Sequence, residues 1–478
     1  MPKKIGVLVK QGKSAYDAVK AAVSQLQGTW GLVVIDRDSP DQLIAAKNGS
    51  PMLIGIGKGR MFIASESSAF SQQTKEFIAL EDGEIAVIGR EGCSLDISRI
   101  EIAPNEKIET SPAPYEHWTL KEILEQPLAV SKALNFGGRI LGDSDSKLGG
   151  LDANEVKMLS VENLVIAACG TSFYAGLYAE KLMQSLSSFN TVNVVDASEV
   201  IHDSIPHRAA GMLVISQSGE TKDVQRALLI ADEIGVPTFS VVNIVRSLIA
   251  RSTGCGVYLN AGREFAVAST KAFTCQVTVL ALIAIWFSAR RGTSKERLER
   301  RKQLVEALHR LSTNIGMTLY RTHTKCKELA QTIKQASSCF ILGKGFAEPI
   351  AKEGALKIKE ITYVHAEGYP GGALKHGPFA LIEKGVPVIL IILTDIHQAL
   401  MKTALEEVHG RGATTIVITN DPSPLSCANH TILIPSNGPL TALLAVLPLQ
   451  LLAYELALAR GNENPDKPRN LAKTVTVD

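Results

Sequence analysis

Residues Met212 to Thr221 read MLVISQSGET. Four apolar residues predict a buried strand, and Val224, Ala227, Leu228 and Ala231 recur behind them at helical spacing. Between strand and helix, SQSGET sets three hydroxyls, Ser216, Ser218 and Thr221, around Gly219. Such a turn suits a phosphate. Glycine lets the backbone come close, small hydroxyls donate hydrogen bonds, and a helix N-terminus offers unpaired N–H groups with partial positive charge. No Lys or Arg lies within the six residues, so neutral donors would hold a phosphomonoester. Taken alone, the stretch also fits a Ser/Gly turn with an ordinary helix cap.

The chain has 478 residues, enough for roughly three domains. Its 50 basic and 48 acidic side chains nearly cancel, which gives no electrostatic case for nucleic acid. Seven cysteines are scattered without a CxxC pair, which argues against a disulfide scaffold or zinc site and fits a reducing cytoplasm. The basic start, MPKKIGVLVKQGK, has too short an apolar run for a signal peptide. Two apolar stretches, Val277 to Phe287 and Leu440 to Leu458, read as buried helices of a large core rather than membrane spans. Pro448, Gln450 and Glu455 interrupt the second.

The phosphate-type turn sits inside a repeat. Val165 to Ser172 is an apolar strand ending in a small-residue turn, and Phe340 to Gly345 is another. Gly170 and Gly343 lie 173 residues apart, Gly211 and Gly385 174, Asn243 and Asn420 177. Near-constant offsets over three landmarks indicate a duplicated unit. Each unit alternates short apolar strands with longer helical patterns, which predicts α/β architecture with doubly wound parallel sheets. Ligands of such sheets bind beyond the strand carboxyl ends, where both Gly-rich turns and SQSGET fall.

Residues 1–92 are different. Runs at Gly31–Ile35, Met52–Ile56, Met61–Ala64 and Glu84–Ile88, separated by turn signals, predict antiparallel strands with one helix near Tyr16 to Leu26. Residues 93–150 are expected to hold a linker, with Pro104, Pro112 and Pro114, and a lead-in helix. The repeats are placed at 151–293 and 325–462, joined by a charged helical connector at 294–324, with a tail at 463–478.

A second chemical cluster lies between Glu353 and His376. Glu353, Lys357 and Glu360 follow i, i+4, i+7 and share one helix face, while Lys359 points elsewhere. His365, Glu367, a Gly-rich run and Lys375-His376-Gly377-Pro378 follow. Carboxylate, lysine and histidine near a phosphate turn suit aldose–ketose chemistry, which needs a base to carry a proton between adjacent carbons and an acid/base to open the ring. An i, i+4 helix salt bridge is the plainer account of Glu353 and Lys357. His365 and Glu367 lack a third ligand at helical spacing, so no metal is assigned. Arg263 to Thr274, REFAVASTKAFT, reads as a helix capped by Ser269 or Thr270 with Lys271 in its first turn. The last stretch, PRNLAKTVTVD, holds Lys473 and reads as a fraying end when taken alone.

CGTS (169–172), SQSGET (216–221), VASTKAFT (267–274), EGALKIKEI (353–361), LKHGP (374–378), PLQLLAYELA (448–457) and PRNLAK (468–473) together resemble the glutamine–fructose-6-phosphate aminotransferase family, the glucosamine-6-phosphate synthases. The resemblance implies two tandem sugar-isomerase (SIS) domains behind a partial α+β glutaminase-like (Ntn) segment, fructose 6-phosphate as substrate and glucosamine 6-phosphate as product. It implies that Ser216, Gln217, Ser218 and Thr221 hold the phosphate and that Thr171, Ser172, Val267 and Ser269 line the sugar pocket. Glu360 would move the proton between C1 and C2 with help from Lys357. His376, from a neighbouring subunit of a homodimer, would open the ring, and Lys473 would form a Schiff base while the tail closes the site. No metal or organic cofactor is implied, and the enzyme is expected to be cytoplasmic, with neither nucleic acid nor membrane as partner.

QLQGTWGLVVIDRDSP, IAAKNGSPMLIGIGKG, FIASES and LEDGEIAVI resemble only the rear of the family's glutaminase domain. Position 1 is Met, where that domain begins with a cysteine, and the first cysteine is Cys93. Glutamine hydrolysis is therefore expected to be absent from this chain, with ammonia coming from a separate or glutaminase source. Ala266, Ala373 and Glu66 stand where the family usually has Gly, Glu and Asp. Two alternatives stay open on the residues: an ammonia-independent isomerase making glucose 6-phosphate, and a sugar-phosphate-binding SIS regulator.

Overall fold

The computed structural model describes residues 1–28, 30–65, 69–103, 109, 111–292 and 294–474. Glu66 and Pro104 lie outside the described residues. The chain forms two compact units, one of residues 1–110 with the last five residues and one of Ser111–Lys473.

In the first unit, α1 (Pro2–Lys10) and α2 (Ala15–Val23) precede seven strands. These are β1 (Trp30–Asp36), β2 (Ser39–Asn48), β3 (Leu53–Gly57), β4 (Arg60–Ala64), β5 (Glu76–Ala79), β6 (Ile85–Ile88) and β7 (Glu101–Ile102). They make two antiparallel sheets, β1-β2-β6 and β4-β3-β5-β7. Strand alternation builds the layers. Ile44 and Ala46 of β2 pack with Ile5, Val19 and Val23 of the helices. Ala45, between them, packs with Ile54 of β3 and Ile78 of β5. The antiparallel expectation and the helix near residue 16 hold, but α1, β2 and β5 were not foreseen. Asp38-Ser39-Pro40 has turn chemistry, and the exposed polar start of β2 masks its buried apolar end. The expected linker also contributes β7, which pairs with β5.

The second unit opens with α3 (Trp118–Leu124), α4 (Gln126–Ala133), a small hairpin of β8 (Ile140–Leu141) and β9 (Asp145–Ser146), and the short helices α5 (Gly149–Asp152) and α6 (Glu155–Leu159). Two parallel sheets follow. The first contains β10 (Asn163–Ala168), α7 (Gly170–Ser185), β11 (Thr191–Asp196), β12 (Ala210–Ser216), α8 (Lys222–Ile234), β13 (Thr238–Val242), α9 (Leu248–Thr253) and β14 (Gly256–Tyr258). After α10 (Lys271–Arg290) and α11 (Lys295–Ile333), the second repeats the plan. It has β15 (Ser338–Gly343), α12 (Ala347–Thr362), β16 (His365–Pro370), β17 (Pro387–Ile392), α13 (Gln398–His409), β18 (Thr414–Thr419) and β19 (His430–Leu433). α14 (Thr441–Leu444) and α15 (Val446–Ala459) close the unit.

The strand orders are β11-β10-β12-β13-β14 and β16-β15-β17-β18-β19. The two sheets are thus copies of one doubly wound topology, as the repeat predicts, although Gly343 ends β15 and the counterpart of Gly170, with φ +55°, is Gly345, with φ +62°. β12 is buried throughout, and α8 buries Val224, Ala227, Leu228 and Ala231, the residues picked out by periodicity. α11 runs on nine residues past the expected connector end at 324, because Cys326, Leu329, Ala330 and Ile333 keep its buried stripe going.

α10 and the span 438–459 are long and apolar enough to cross a membrane, yet 94% and 89% of their apolar windows are buried inside the protein. They join α7, α11 and α12 in one core that serves both sheets. Close helix approach there depends on Gly354 of α12, where a Cβ would lie 2.5 Å from Leu449 Cδ1 of α15. Gly354→Val is expected to cost about 1–3 kcal/mol by overpacking. An unchanged urea midpoint for the unfolding of this unit would contradict that packing.

Candidate active site

The register of the first sheet builds the site. β10 and β12 are neighbours with Ala167 opposite Val214. The turn after β10, carrying Gly170 and Thr171, therefore lies beside the turn after β12, carrying SQSGET. This is the point where the strand order reverses, the usual ligand crevice of such a sheet.

The SQSGET turn is already organised. Gly219 has φ +70°, a left-handed conformation open to glycine, and a Cβ there would fall 1.9 Å from Ser247 Oγ. Ser216 Oγ accepts from the Gly219 N–H at 3.0 Å and shares a 2.8 Å hydrogen bond with Thr221 Oγ1. Ser218 Oγ accepts from the Glu220 N–H at 3.1 Å. The Gln217 carbonyl accepts from the Asn243 N–H at 3.2 Å, tying the turn to the end of β13. Thr221 is the N-cap of α8 and makes no side-chain cap bond, which leaves helix N–H groups for a ligand.

α12 brings the acid–base face to this crevice from the second sheet. Lys357 Nζ lies 2.6 Å from Glu360 Oε2 and 3.5 Å from Glu353 Oε1. It also donates to Thr171 Oγ1 at 3.0 Å, and Thr171 Oγ1 donates to Glu353 Oε1 at 3.2 Å. Lys357 and Glu353 are buried, while the Glu360 side chain keeps 20% of its surface. Burial pushes the Glu353 carboxyl up to about 8, with Lys357 opposing and Glu360 adding to the rise. Burial would lower the Lys357 ammonium, but the two carboxylates outweigh it and raise it. The plain i, i+4 salt bridge does not describe this. One buried cation serves two carboxylates and a threonine from the other sheet, so the arrangement holds charge at a strand end.

A second ion cluster lies behind REFAVASTKAFT. Glu264, buried, accepts from Lys473 Nζ at 2.7 Å, Ser269 Oγ at 2.8 Å, the Thr270 N–H at 2.9 Å and the Ala272 N–H at 3.1 Å. Lys473 also donates to the Ala266 carbonyl at 2.6 Å. The cap of α10 is therefore Glu264 rather than Ser269 or Thr270, and Lys473 is clasped instead of fraying. Burial would raise the Glu264 carboxyl, but the Lys473 ammonium and these hydrogen bonds bring it down to about 2. Lys357 feels the Glu264 charge, which links the two clusters. Val267 donates its N–H to the Asp466 carbonyl at 2.9 Å, and Asp466 caps α3 through the Trp118 and Thr119 N–H groups.

Other expected residues take different places. Ser172 is buried and its Oγ accepts from Gln276 Nε2 at 2.8 Å, so its hydroxyl is already engaged with α10. His376 is exposed, and among the described residues no hydrogen bond or ion pair joins it to the α12 cluster. Lys375 beside it pairs with Glu407 at 2.7 Å. His365 lies 3.4 Å from Glu367, which also accepts from the Tyr369 hydroxyl.

Three residues carried no sequence signal of a role. Tyr174, on α7, has its hydroxyl raised by burial and then by Glu353. Glu264 sat inside a quoted stretch, but spacing could not show that it meets residue 473. Glu122 of α3 is buried, accepts from the Phe265 N–H through Oε1, and leaves Oε2 without a partner among the described residues. Burial and then the Glu264 charge push its carboxyl up to about 8. A carboxyl raised in the folded state stabilises fully below its unfolded value near 4.5, and that stability is lost as pH rises toward 8. Glu122→Gln is expected to flatten this loss, making the variant more stable than the parent at pH 8 by on the order of 1 kcal/mol and no more stable at pH 4. Equal stability–pH curves would show that Glu122 titrates normally.

Comparison with known proteins agrees with this geometry. The SIS domain family matches residues 157–286 and 332–460, the two parallel sheets. The glutamine–fructose-6-phosphate aminotransferase (isomerizing) of Chlorobaculum tepidum is 38% identical over 475 residues, 96% of this chain and 76% of that protein. The Thermococcus kodakarensis protein of the same name is 35% identical over 482 residues, 98% and 77% of the two chains. The solved C-terminal domain of glucosamine-fructose-6-phosphate aminotransferase from Francisella tularensis superposes with a TM-score of 0.69 at 31% identity, covering 75% of this chain and all of that one. The chain belongs to the glutamine–fructose-6-phosphate aminotransferase (isomerizing) family.

Proposed function

We propose that the second unit converts fructose 6-phosphate and ammonia into glucosamine 6-phosphate and water at the carboxyl end of β12. The observation that carries this reading is the buried Glu353–Lys357–Glu360 face, joined through Thr171 to the crevice that holds the phosphate-type turn. Ser216, Gln217, Ser218 and Thr221 grip the 6-phosphate by hydroxyl and backbone donors. Thr171, Ser172, Val267 and Ser269 border the sugar chain.

His376 of the partner subunit opens the furanose ring, which accounts for its exposure in a single chain. Lys473 must leave its clasp with Glu264 and lose a proton before its amine can attack the C2 carbonyl. Water leaves as the imine forms. Ammonia then displaces Lys473 from C2, and Glu360 carries a proton from C1 to C2, turning the ketose imine into the amino aldose. Lys357 holds the Glu360 carboxylate in place and offsets negative charge that develops at the substrate oxygen.

Supplied with ammonium, the protein is expected to form glucosamine 6-phosphate from fructose 6-phosphate. Glu360→Gln should lower turnover of fructose 6-phosphate about 100- to 10,000-fold while its binding survives. Unchanged turnover would end the assignment of the base. A wild type that binds hexose phosphate without turnover would mark a regulator, and glucose 6-phosphate as the sole product with ammonium present would mark an isomerase. Mixing inactive His376→Ala and Glu360→Gln chains should restore about a quarter of wild-type activity, because half the dimers then carry one intact site. No recovery on mixing would place His376 in the same chain's site or outside it.

A further inference from the structure

The duplication makes a second crevice, and it is open. A cavity of about 310 Å3 lies at the carboxyl ends of the second sheet, among residues that follow β15, β17 and β18. Each wall has its counterpart in the first site. Phe346 follows β15 as Thr171 follows β10, Thr394 and Asp395 follow β17 as SQSGET follows β12, and Asn420 ends β18 as Asn243 ends β13. The helices are exchanged in the same way. α12 of the second sheet covers the first crevice, and α7 of the first sheet covers the second with Leu182 and Leu186. The Tyr178 ring of α7 lies 5.2 Å from that of Phe346 at a tilt of 45°, the counterpart of the Thr171 contact with α12.

The chemistry of the copy differs in two respects. α7 carries Tyr178, Leu182 and Ser185 where α12 carries Glu353, Lys357 and Glu360, so the buried cation between two carboxyl groups has no counterpart there. The phosphate turn is replaced by Thr394-Asp395. Asp395 Oδ1 accepts from the His397 N–H at 2.8 Å, and Oδ2 has no partner among the described residues. A carboxylate in this place repels a phosphate. The nearby cation, Arg300, is committed to Glu296 and to the Ser185 carbonyl at 2.8 Å. A cavity lined by an acceptor carboxylate and by apolar Leu182, Leu186 and Phe346 fits a ring with both hydroxyl or ammonium donors and C–H groups.

We propose that this crevice binds an unphosphorylated hexose or hexosamine without turning it over. The comparison draws on the reading of the first crevice, but the two fail separately. In titration calorimetry of the full chain, glucosamine and glucose are expected to bind saturably, and inorganic phosphate is expected not to compete. Asp395→Ala, at an exposed position, should weaken glucosamine binding at least about tenfold and leave fructose 6-phosphate turnover unchanged. Gln303→Trp, on the exposed face of α11 at the cavity rim, should block binding by bulk alone. Ser216→Ala should not affect it. Absence of saturable hexose binding, competition by phosphate, or loss of binding in Ser216→Ala with retention in Asp395→Ala would each overturn the proposal. Only the last of these would return the sugar to the first crevice.

Discussion

A single ammonium, that of Lys357, holds the catalytic half of this protein together. It sits buried between the two sheets with Glu353, Glu360 and Thr171 around it. An isolated charge in that place would be expelled or neutralised, so the carboxyl groups keep the ammonium charged and in position, while burial holds Glu353 above the ordinary carboxylate range. Two of the contacts lie on its own helix and one comes from the first sheet. Docking of the two sheets is therefore coupled to assembly of the acid–base face, and errors in packing become errors in chemistry.

The same economy appears at Glu264. One carboxylate caps α10, orders the Ser269 turn and clasps Lys473. The unfavourable burial of that carboxylate is offset by four donors, and its neighbour Glu122, with fewer donors, shows the opposite shift. The two acids illustrate how a paired cation and neighbouring charge, together with hydrogen bonds, rather than burial alone, decide whether an interior carboxyl is charged. The lysine held here is a paired, partly buried cation.

Duplication followed by divergence explains why two crevices of common origin differ. Strand order, glycine turns and the asparagine at each strand end were retained because backbone geometry requires them. The residues that face the ligand were free to change. One crevice carries hydroxyls and the Glu353–Lys357–Glu360 face, and the other carries Leu182, Leu186 and Asp395. A shared core built on α10, α11 and α15 lets both sheets tolerate this, since the apolar layer between them is untouched by what lines their outer ends.

Much of the second unit was legible along the chain. The strands alternate with helices at nearly constant offsets, α8 shows its buried face by periodicity, and Glu353, Lys357 and Glu360 declare one helix face, because all these patterns are local. The first unit was less legible, since β2 begins with Ser39-Pro40-Asp41-Gln42 and becomes a strand only through pairing with β1 and β6. Local sequence determined the strand–turn–helix of SQSGET, the repeat and the family motifs. Tertiary structure alone decided that Thr171 meets residues 353 and 357, that Glu264 meets Lys473, and that Glu122 is left with an oxygen unpaired among the described residues. These contacts join groups more than a hundred residues apart, and their energies depend on burial and hydrogen-bond partners that no spacing rule carries.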